Sequence, residues 1–198
     1  MIKLIIELIG TIAFAVSGAV VGINKKMDIL GVSVLGMMTA VGGGVIRDLL
    51  IGKTPPAAFS DPVYMLTALA VSLIVFIPAV SRRINLDHFL WVLTDSVGLG
   101  AFTIVGVTAG LPFDNHFFAV FLGIVTGVGG GVFRDICAGE IPMIFRKHFY
   151  ACPCIISAVA CTLLYPYSDT LAILVGFTTA VLLRLLAARF KWHLPKAK

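Results

Sequence analysis

One short motif occurs twice in the sequence. The first copy reads Gly42-Gly43-Gly44-Val45-Ile46-Arg47-Asp48, and the second reads Gly129-Gly130-Gly131-Val132-Phe133-Arg134-Asp135, 87 residues later (129 − 42). Both copies lie inside strongly apolar segments, where backbone that leaves the helix has no bulk water to solvate it. Membrane proteins tolerate such backbone only where it is buried in protein or lines a cavity. A duplicated interruption of this kind therefore predicts a path for a solute or an ion.

Composition places the chain among membrane proteins. Hydrophobic residues make up 59% of the 198 residues and charged residues 13%, with a mean hydropathy of +1.04. An ordinary soluble domain carries about 25% charged residues, so a soluble fold could not cover its surface with this set. The net charge of +5 comes from scattered basic residues, and we expect no nucleic-acid partner.

Seven apolar stretches are long enough, or nearly so, to cross the ~30 Å of hydrocarbon in a bilayer. The connections between them are short, and none could hold a separate soluble domain. We therefore expect no soluble protein partner. We therefore predict a single all-α, polytopic membrane domain over residues 1–198. The predicted spans are Leu4–Ile23, Ile29–Leu50, Pro62–Val80, Phe89–Thr108, Phe117–Ala138, Phe149–Tyr165 and Leu171–Leu186.

The basic residues are distributed unequally between the two sides of this topology. One side receives twelve, namely Lys25, Lys26, Arg82, Arg83, Arg134, Arg146, Lys147, Arg184, Arg189, Lys191, Lys196 and Lys198, and the other receives Lys3, Arg47 and Lys53. Cytoplasmic loops carry the excess of lysine and arginine. We therefore predict that the N-terminus is outside and that the C-terminus is in the cytoplasm.

The duplication divides the chain into two three-helix repeats, residues 4–80 and 89–165, followed by a seventh helix at 171–190. Because three spans is an odd number, the second repeat is expected to be inverted in the bilayer, with a pseudo-two-fold axis in the membrane plane. We expect helices two and five to be kinked at their glycine triplets and to meet near the midplane.

The triplets are candidates for an ion pathway. Each glycine costs roughly 1 kcal/mol of helix propensity relative to alanine, and a helix that ends there presents free carbonyls with partial negative charge. Carbonyl oxygens favour a monovalent cation, which we place near Gly42, Gly43, Gly129 and Gly130. The remaining pathway candidates are Gly44, Gly131 and the hydroxyls of Thr39 and Thr126. The alternative interpretation is close helix packing through small residues, although packing alone does not require three glycines in a row.

Charged side chains inside spans are energetically costly and usually functional. The repeat generates two acid–base candidates, Glu7–Arg47 and Asp95–Arg134, one at each mouth of the path. Asp48 and Asp135 could instead neutralise the arginines or attract cations. The competing interpretation is that all of these residues anchor helix ends at the membrane interface.

These features resemble the prokaryotic TRIC (trimeric intracellular cation) channels, which are also catalogued as a glycine-transporter domain. The resemblance rests on the paired Gly-Gly-Gly-Val-x-Arg-Asp motifs, the seven spans and the unpaired last helix, and it covers about residues 4 to 190. It implies a homotrimer in the bacterial inner membrane, with a pore in each subunit at the triplets of spans two and five. It also implies permeation by potassium and, less selectively, sodium, with no other cofactor.

The function that we predict is therefore a monovalent cation channel and not an enzyme. Neither triplet ends in the lysine and serine or threonine of a phosphate-binding loop, and the histidines form no catalytic grouping. The main alternative is a secondary transporter of a small zwitterion such as glycine, because inverted repeats also serve transporters. A third alternative is a membrane scaffold that conducts nothing.

Overall fold

The computed structural model describes residues 2–86, 88–146 and 149–192, and within these ranges the regular structure is entirely helical. Lys147, Lys196 and Lys198 of the predicted cytoplasmic set lie outside the described residues. The helices are α1 (Ile2–Asn24), α2 (Ile29–Leu50), α3 (Ala57–Ser60), α4 (Pro62–Phe76), α5 (Pro78–Leu86), α6 (His88–Gly110), α7 (His116–Cys137), α8 (Met143–Arg146), α9 (Cys152–Leu164) and α10 (Asp169–Arg189), and a 3-10 turn, Leu111–Phe113, follows α6.

Each predicted span overlaps a helix, and the all-helical class is confirmed. Five helices, α1, α2, α6, α7 and α10, are long and apolar enough to cross a membrane, whereas α4 and α9 have 15 and 13 residues. The predicted third span, Pro62–Val80, is wrong at its end. Ile77 adopts an extended conformation (ψ 126°) and Pro78 starts α5, because the residue before a proline is disfavoured in helical geometry. The sixth span begins at Cys152 and not at Phe149.

The two motif-bearing helices begin and end in the same way. Asp28 and Asn115 cap α2 and α7, accepting hydrogen bonds from Gly31 N (2.7 Å) and Phe118 N (3.0 Å). After each helix a glycine, Gly52 or Gly139, has positive φ (72° and 70°). This is the left-handed helix terminus that glycine favours, and it explains the glycine that follows each Arg-Asp pair in the sequence.

Helices α2 and α7 continue without interruption through their glycine triplets. The expectation that the chain leaves helical geometry there is therefore wrong, and with it the expectation of free carbonyls at the triplets. In a continuous helix these carbonyls are internally bonded. The predicted bend of each helix at its triplet stays a prediction.

Two helical hairpins, α1–α2 and α6–α7, pack against each other in the centre of the molecule. In the contact between α1 and α6, Gly10 lies against Ala101 and Ser17 reaches Asp95, so these helices are antiparallel. Because α2 and α7 fold back on α1 and α6, they are antiparallel to each other as well. The C-terminal ends of α2 and α7 therefore lie at opposite ends of the molecule. The last helix, α10, packs on α6 and α9.

The backbones of α2 and α7 touch at the triplets. A Cβ atom added to Gly43 would lie 2.1 Å from the carbonyl oxygen of Thr126, and one added to Gly130 would lie 2.2 Å from that of Thr39. Neither glycine has positive φ, so the requirement here is steric. In this structure Gly43 and Gly130 therefore serve close packing of the two helices, and their place in an ion pathway stays a prediction.

The third glycine of the first triplet provides a matched control for this contact. A Cβ atom at Gly44 would meet nothing closer than Arg47 Nη2 at 3.8 Å. We expect Gly43→Ala to lower the free energy of unfolding by about 1–3 kcal/mol through overpacking. Gly44→Ala should leave it unchanged or raise it by up to about 1 kcal/mol through helix propensity. Thermal unfolding of the two variants in detergent measures both, and equal melting temperatures would show that the helices do not cross at Gly43.

Candidate functional site

Arg47 is the centre of a polar cluster at one end of the molecule, here called the Glu7 end. Its Nε and Nη2 atoms each lie 2.8 Å from Asp48 Oδ1, and its Nη1 atom lies 3.6 Å from Glu7 Oε1. Tyr64 of α4 donates a hydrogen bond of 3.1 Å to the other oxygen of Glu7. Arg47 and Asp48 are buried, while the Glu7 side chain remains 23% exposed. This cluster is in contact with solvent at its edge.

Arg134 is the centre of an equivalent cluster at the opposite end, here called the Asp95 end. Its Nη1 atom lies 2.5 Å from Asp95 Oδ1 and 2.6 Å from Ser17 Oγ, and its Nε atom lies 2.9 Å from Asp135 Oδ1. Tyr150 donates a hydrogen bond of 3.4 Å to the same oxygen of Asp95. Both Arg134 and Asp95 have no exposed surface. The Arg134–Asp95 pair is therefore closed to solvent, while the Asp135 side chain is 9% exposed.

The structure brings together both predicted acid–base pairs. The predicted alternative for the neighbouring aspartates is also confirmed, because Asp48 and Asp135 each bond the arginine that precedes them. A buried arginine without counter-charges would be very costly, and each arginine here lies between two carboxylates.

The second oxygen of each motif aspartate holds the loop that follows. Asp48 Oδ2 accepts a hydrogen bond from Ala57 N (2.7 Å), and Asp135 Oδ2 accepts one from Met143 N (2.8 Å). These amides belong to the first residues of α3 and α8. The Arg-Asp pair therefore connects the intramembrane arginine to the short helix that covers its end of the molecule.

Ten residues of α1 separate Glu7 from Ser17, which corresponds to about 15 Å along the helix at 1.5 Å per residue. The space between the two clusters is filled by apolar packing. Phe14 and Phe102 stack there with ring centroids 5.4 Å apart, and they are 1% and 4% exposed. Phe14 also lies against Gly98 and Gly130. The two arginine clusters are thus separated by an aromatic layer and the crossing of α2 with α7.

Two cavities lie at the Glu7 end. The larger, here called the vestibule, has a volume of about 440 Å³ and is lined by Lys3, Glu7, Arg47, Lys53, Ala57, Ser60, Asp61, Tyr64, Val105, Thr108 and Ala109. The smaller, here called the constriction, has about 20 Å³ and is lined by Glu7, Thr11, Ala40, Val41, Gly44, Arg47, Asp48, Ala57, Ala58, Tyr64 and Phe102. The two share Glu7, Arg47, Ala57 and Tyr64, so they are adjacent.

An exposed ion-pair group lies in the loop beyond the Asp95 end. Glu140 Oε1 accepts a hydrogen bond from Lys25, and Glu140 Oε2 lies 2.9 Å from Arg146 Nη1. The hydrogen bond from Lys25 holds the pKa of the Glu140 carboxyl below its ordinary value. These contacts tie the loop after α7 to the end of α1.

The other predicted pathway residues differ in whether they are packed in the protein interior or line a cavity. Thr39 and Thr126 are fully buried, and each hydroxyl donates a 2.6 Å hydrogen bond to a carbonyl four residues earlier in its own helix. Gly42 lies against the Phe133 ring, and Gly129 against Gly43. Packing therefore fills the positions at which we predicted a cation. Gly44 differs because it lines the constriction.

Sequence reasoning missed several residues that contact these clusters, namely Ser17, Tyr64, Tyr150, Trp91 and Arg184. The guanidinium carbon of Arg134 lies 5.5 Å from the centroid of the Trp91 ring, and that of Arg184 lies 4.8 Å from the centroid of the Tyr150 ring. A signal for the tyrosines was present: Tyr64 and Tyr150 are 86 residues apart (150 − 64), one fewer than the motif offset. A shift of one residue after the motif would have aligned them. Ser17 and Trp91 have no equivalents of the same type in the other repeat, and Arg184 lies in α10, outside both repeats, so the duplication could not identify them.

Helices that bury two arginines and their carboxylates within apolar surroundings define a polytopic membrane protein, and intramembrane charges of this kind usually mark functional sites. The family model described as Glycine transporter matches the chain twice, over residues 4–79 and 92–166. The inner membrane protein YadS of Escherichia coli (strain K12) is 38% identical over 193 residues, which are 96% of this chain and 92% of YadS.

Solved structures give the same result. A TRIC cation channel, studied for the structural basis of its conductance, has 39% sequence identity and a TM-score of 0.89 over 98% of this chain and 96% of its own. The TRIC trimeric intracellular cation channel orthologue from Rhodobacter sphaeroides has 33% identity and a TM-score of 0.87 over 96% and 99%. The chain belongs to the family of these TRIC channels and inner membrane proteins, as the motifs predicted.

The two clusters differ in burial, and this difference predicts different energetic consequences for equivalent substitutions. Asp95→Ala removes a fully buried partner from Arg134 and should lower the free energy of unfolding by about 3–5 kcal/mol. Glu7→Ala removes a longer, partly exposed contact from Arg47 and should cost about 1 kcal/mol or less.

Thermal or denaturant unfolding of the purified variants measures both losses. The double variant Asp95→Ala/Arg134→Ala should lose less than the sum of its two single variants, because the second change removes the buried guanidinium that the first leaves with one carboxylate fewer. Strict additivity of the two losses would show that Asp95 and Arg134 are not energetically coupled.

Proposed function

We propose that this protein is a cation channel that conducts potassium and, less selectively, sodium through each subunit. The route begins in the vestibule, continues through the constriction beside Gly44 and passes the α2–α7 crossing to the Asp95 end. The observation that carries the proposal is a water-sized space that leads inward from the vestibule and is lined by the buried Arg47–Asp48 pair. TRIC cation channels with 33–39% identity and the same fold support it.

The constriction has the charge that a cation path requires. Glu7 and Asp48 contribute two carboxylates there and Arg47 one guanidinium, for a formal charge of −1. The vestibule is different, because Lys3, Arg47 and Lys53 outnumber Glu7 and Asp61, for a formal charge of +1. Carboxylates that line a pore favour cations. We therefore place the selection for cations at the constriction and not in the vestibule.

The conformation described here corresponds to a closed channel. A space of about 20 Å³ has room for about one water molecule, and beyond it Phe14 and Phe102 are packed. The carbonyls of Thr39 and Thr126 lie against glycines of the opposite helix. Conduction then requires α2 and α7 to move apart at the crossing, which would free the positions near Gly42, Gly43, Gly129 and Gly130 for a passing ion.

The proposal extends to the assembly of the subunits and to their placement in the membrane. We propose a homotrimer in the bacterial inner membrane, with the Glu7 end outside and the Asp95 end in the cytoplasm, in agreement with the excess of basic residues on the latter side. The two hairpins α1–α2 and α6–α7 would be related by a pseudo-two-fold axis in the membrane, as inverted repeats are. Catalysis forms no part of the proposal.

Planar-bilayer recording of the purified protein in potassium and sodium gradients tests the proposal. A channel gives unitary current steps with a reversal potential near that of potassium. A carrier of a small zwitterion such as glycine, which the description of the family model names, would give saturable uptake into liposomes and no unitary steps. A protein with neither activity would contradict both functions.

Gly44 allows a sharper test of the route. A Cβ atom there would meet nothing closer than Arg47 Nη2 at 3.8 Å, so Gly44→Val should fold and assemble as the unsubstituted protein does. Its methyl groups would fill the constriction, and we expect unitary current to be abolished, with Gly44→Ala giving a smaller reduction. Normal current through a correctly assembled Gly44→Val channel would place the route elsewhere.

A further inference from the structure

Arg184 is a buried charge in a helix that has no counterpart in the duplication. It lies near the end of α10 and is 4% exposed, whereas Arg189, five residues further on, is exposed. A basic residue that only anchored the helix end would extend toward the membrane surface, as Arg189 is free to do. Arg184 instead points inward, and its Nε atom has no hydrogen-bond partner among the described residues.

The partner of Arg184 is the ring of Tyr150. The guanidinium carbon lies 4.8 Å from the ring centroid, within the distance at which a cation attracts an aromatic face. Tyr150 is 2% exposed and its hydroxyl donates to Asp95 Oδ1. A chain of direct contacts therefore runs from Arg184 through Tyr150 and Asp95 to Arg134.

The equivalent tyrosine at the other end has no such support. Tyr64 bonds Glu7 as Tyr150 bonds Asp95, but it is partly exposed and lines the vestibule. No arginine is described over its ring. The two ends of the path thus share the acid, the arginine and the tyrosine, and they differ in the cation that α10 supplies to one of them.

We propose that Arg184 is a positioning residue that holds the Tyr150 ring against Asp95 and so keeps the Asp95 end closed to water. In this arrangement α10 gives the two otherwise equivalent ends of the molecule different access to water. The proposal rests on the proposed function only where it concerns ion current, because closure to water is a property of the protein whether or not it conducts.

A buried thiol near the contact reports on closure directly. Cys154 lies four residues after Tyr150 and has no exposed surface, and Cys161 is equally buried two turns further along α9. In two full-length proteins, each retaining one of these cysteines and carrying serine at the other three cysteine positions, the rate of reaction with a membrane-impermeant maleimide measures water access. Cys154 reports on the Asp95 end, and Cys161 reports on general loosening of the fold.

Three substitutions separate charge from packing. Arg184→Met removes the cation and keeps most of the length, Arg184→Lys keeps the cation, and Arg189→Met makes the same change at the exposed arginine. A desolvated cation–π contact corresponds to roughly a tenfold or greater effect on an equilibrium, so we expect Arg184→Met to raise the Cys154 rate about tenfold. Arg184→Lys and Arg189→Met should stay near the starting rate, and Cys161 should stay unreactive throughout.

The contrary outcomes are distinct. An unchanged Cys154 rate in Arg184→Met, an equal rise in Arg184→Lys, or a parallel rise at Cys161 would each overturn the positioning role. If Arg184→Met does not assemble, Arg184→Gln provides the same test with a polar side chain.

Bilayer recording adds an independent measurement. If the channel function holds, Arg184→Met should raise the open probability about tenfold, by the same cation–π estimate, and Arg189→Met should not. A raised Cys154 rate with no current in any variant would uphold the role of Arg184 and contradict the channel. Unitary currents in Arg184→Met, with neither the Cys154 rate nor the open probability changed, would uphold the channel and contradict the role of Arg184.

Discussion

An arginine inside a membrane-spanning helix must find its counter-charges within the protein, and much of this fold satisfies that requirement at Arg47 and Arg134. Each receives one carboxylate from the next residue of its own helix and a second from the first helix of its hairpin. The second carboxylate fixes how α1 lies along α2 and how α6 lies along α7. A slip by one helical turn would leave a buried guanidinium without one of its acids, at a cost of several kcal/mol.

The rest of the motif follows from the same requirement. The middle glycines, Gly43 and Gly130, allow α2 and α7 to touch between the two clusters, and backbones approach this closely only where the side chains are small. The motif aspartates then use their remaining oxygens to fix α3 and α8 over each end. One seven-residue sequence thus specifies the helix crossing, the buried charge and the cover of that charge.

The sequence predicted the helices, the family and both acid–base pairs, because the length of each apolar stretch and the repeated motif can be read directly from the order of the residues. It did not predict continuous helix through the triplets, since low helix propensity is overridden when tertiary packing rewards the missing side chains. The unequal burial of the two clusters was equally inaccessible. At the Asp95 end, Ser17 and Trp91 contact Arg134, and Arg184 contacts the Tyr150 ring. Ser17 and Trp91 have no equivalents of the same type in the other repeat, and Arg184 lies in α10, outside both repeats. A duplicated motif therefore predicts equivalent contacts but not equivalent environments.

The two equivalent clusters differ in their access to water, because the Glu7 end is open and the Asp95 end is closed. Hydroxyl-radical footprinting of the unsubstituted protein in lipid nanodiscs tests it most directly, because Tyr64 and Tyr150 occupy equivalent positions and tyrosine is readily oxidised where water reaches it. Tyr64 should be oxidised several-fold faster than Tyr150, which is 2% exposed. Equal oxidation of the two tyrosines, or faster oxidation of Tyr150, would contradict it.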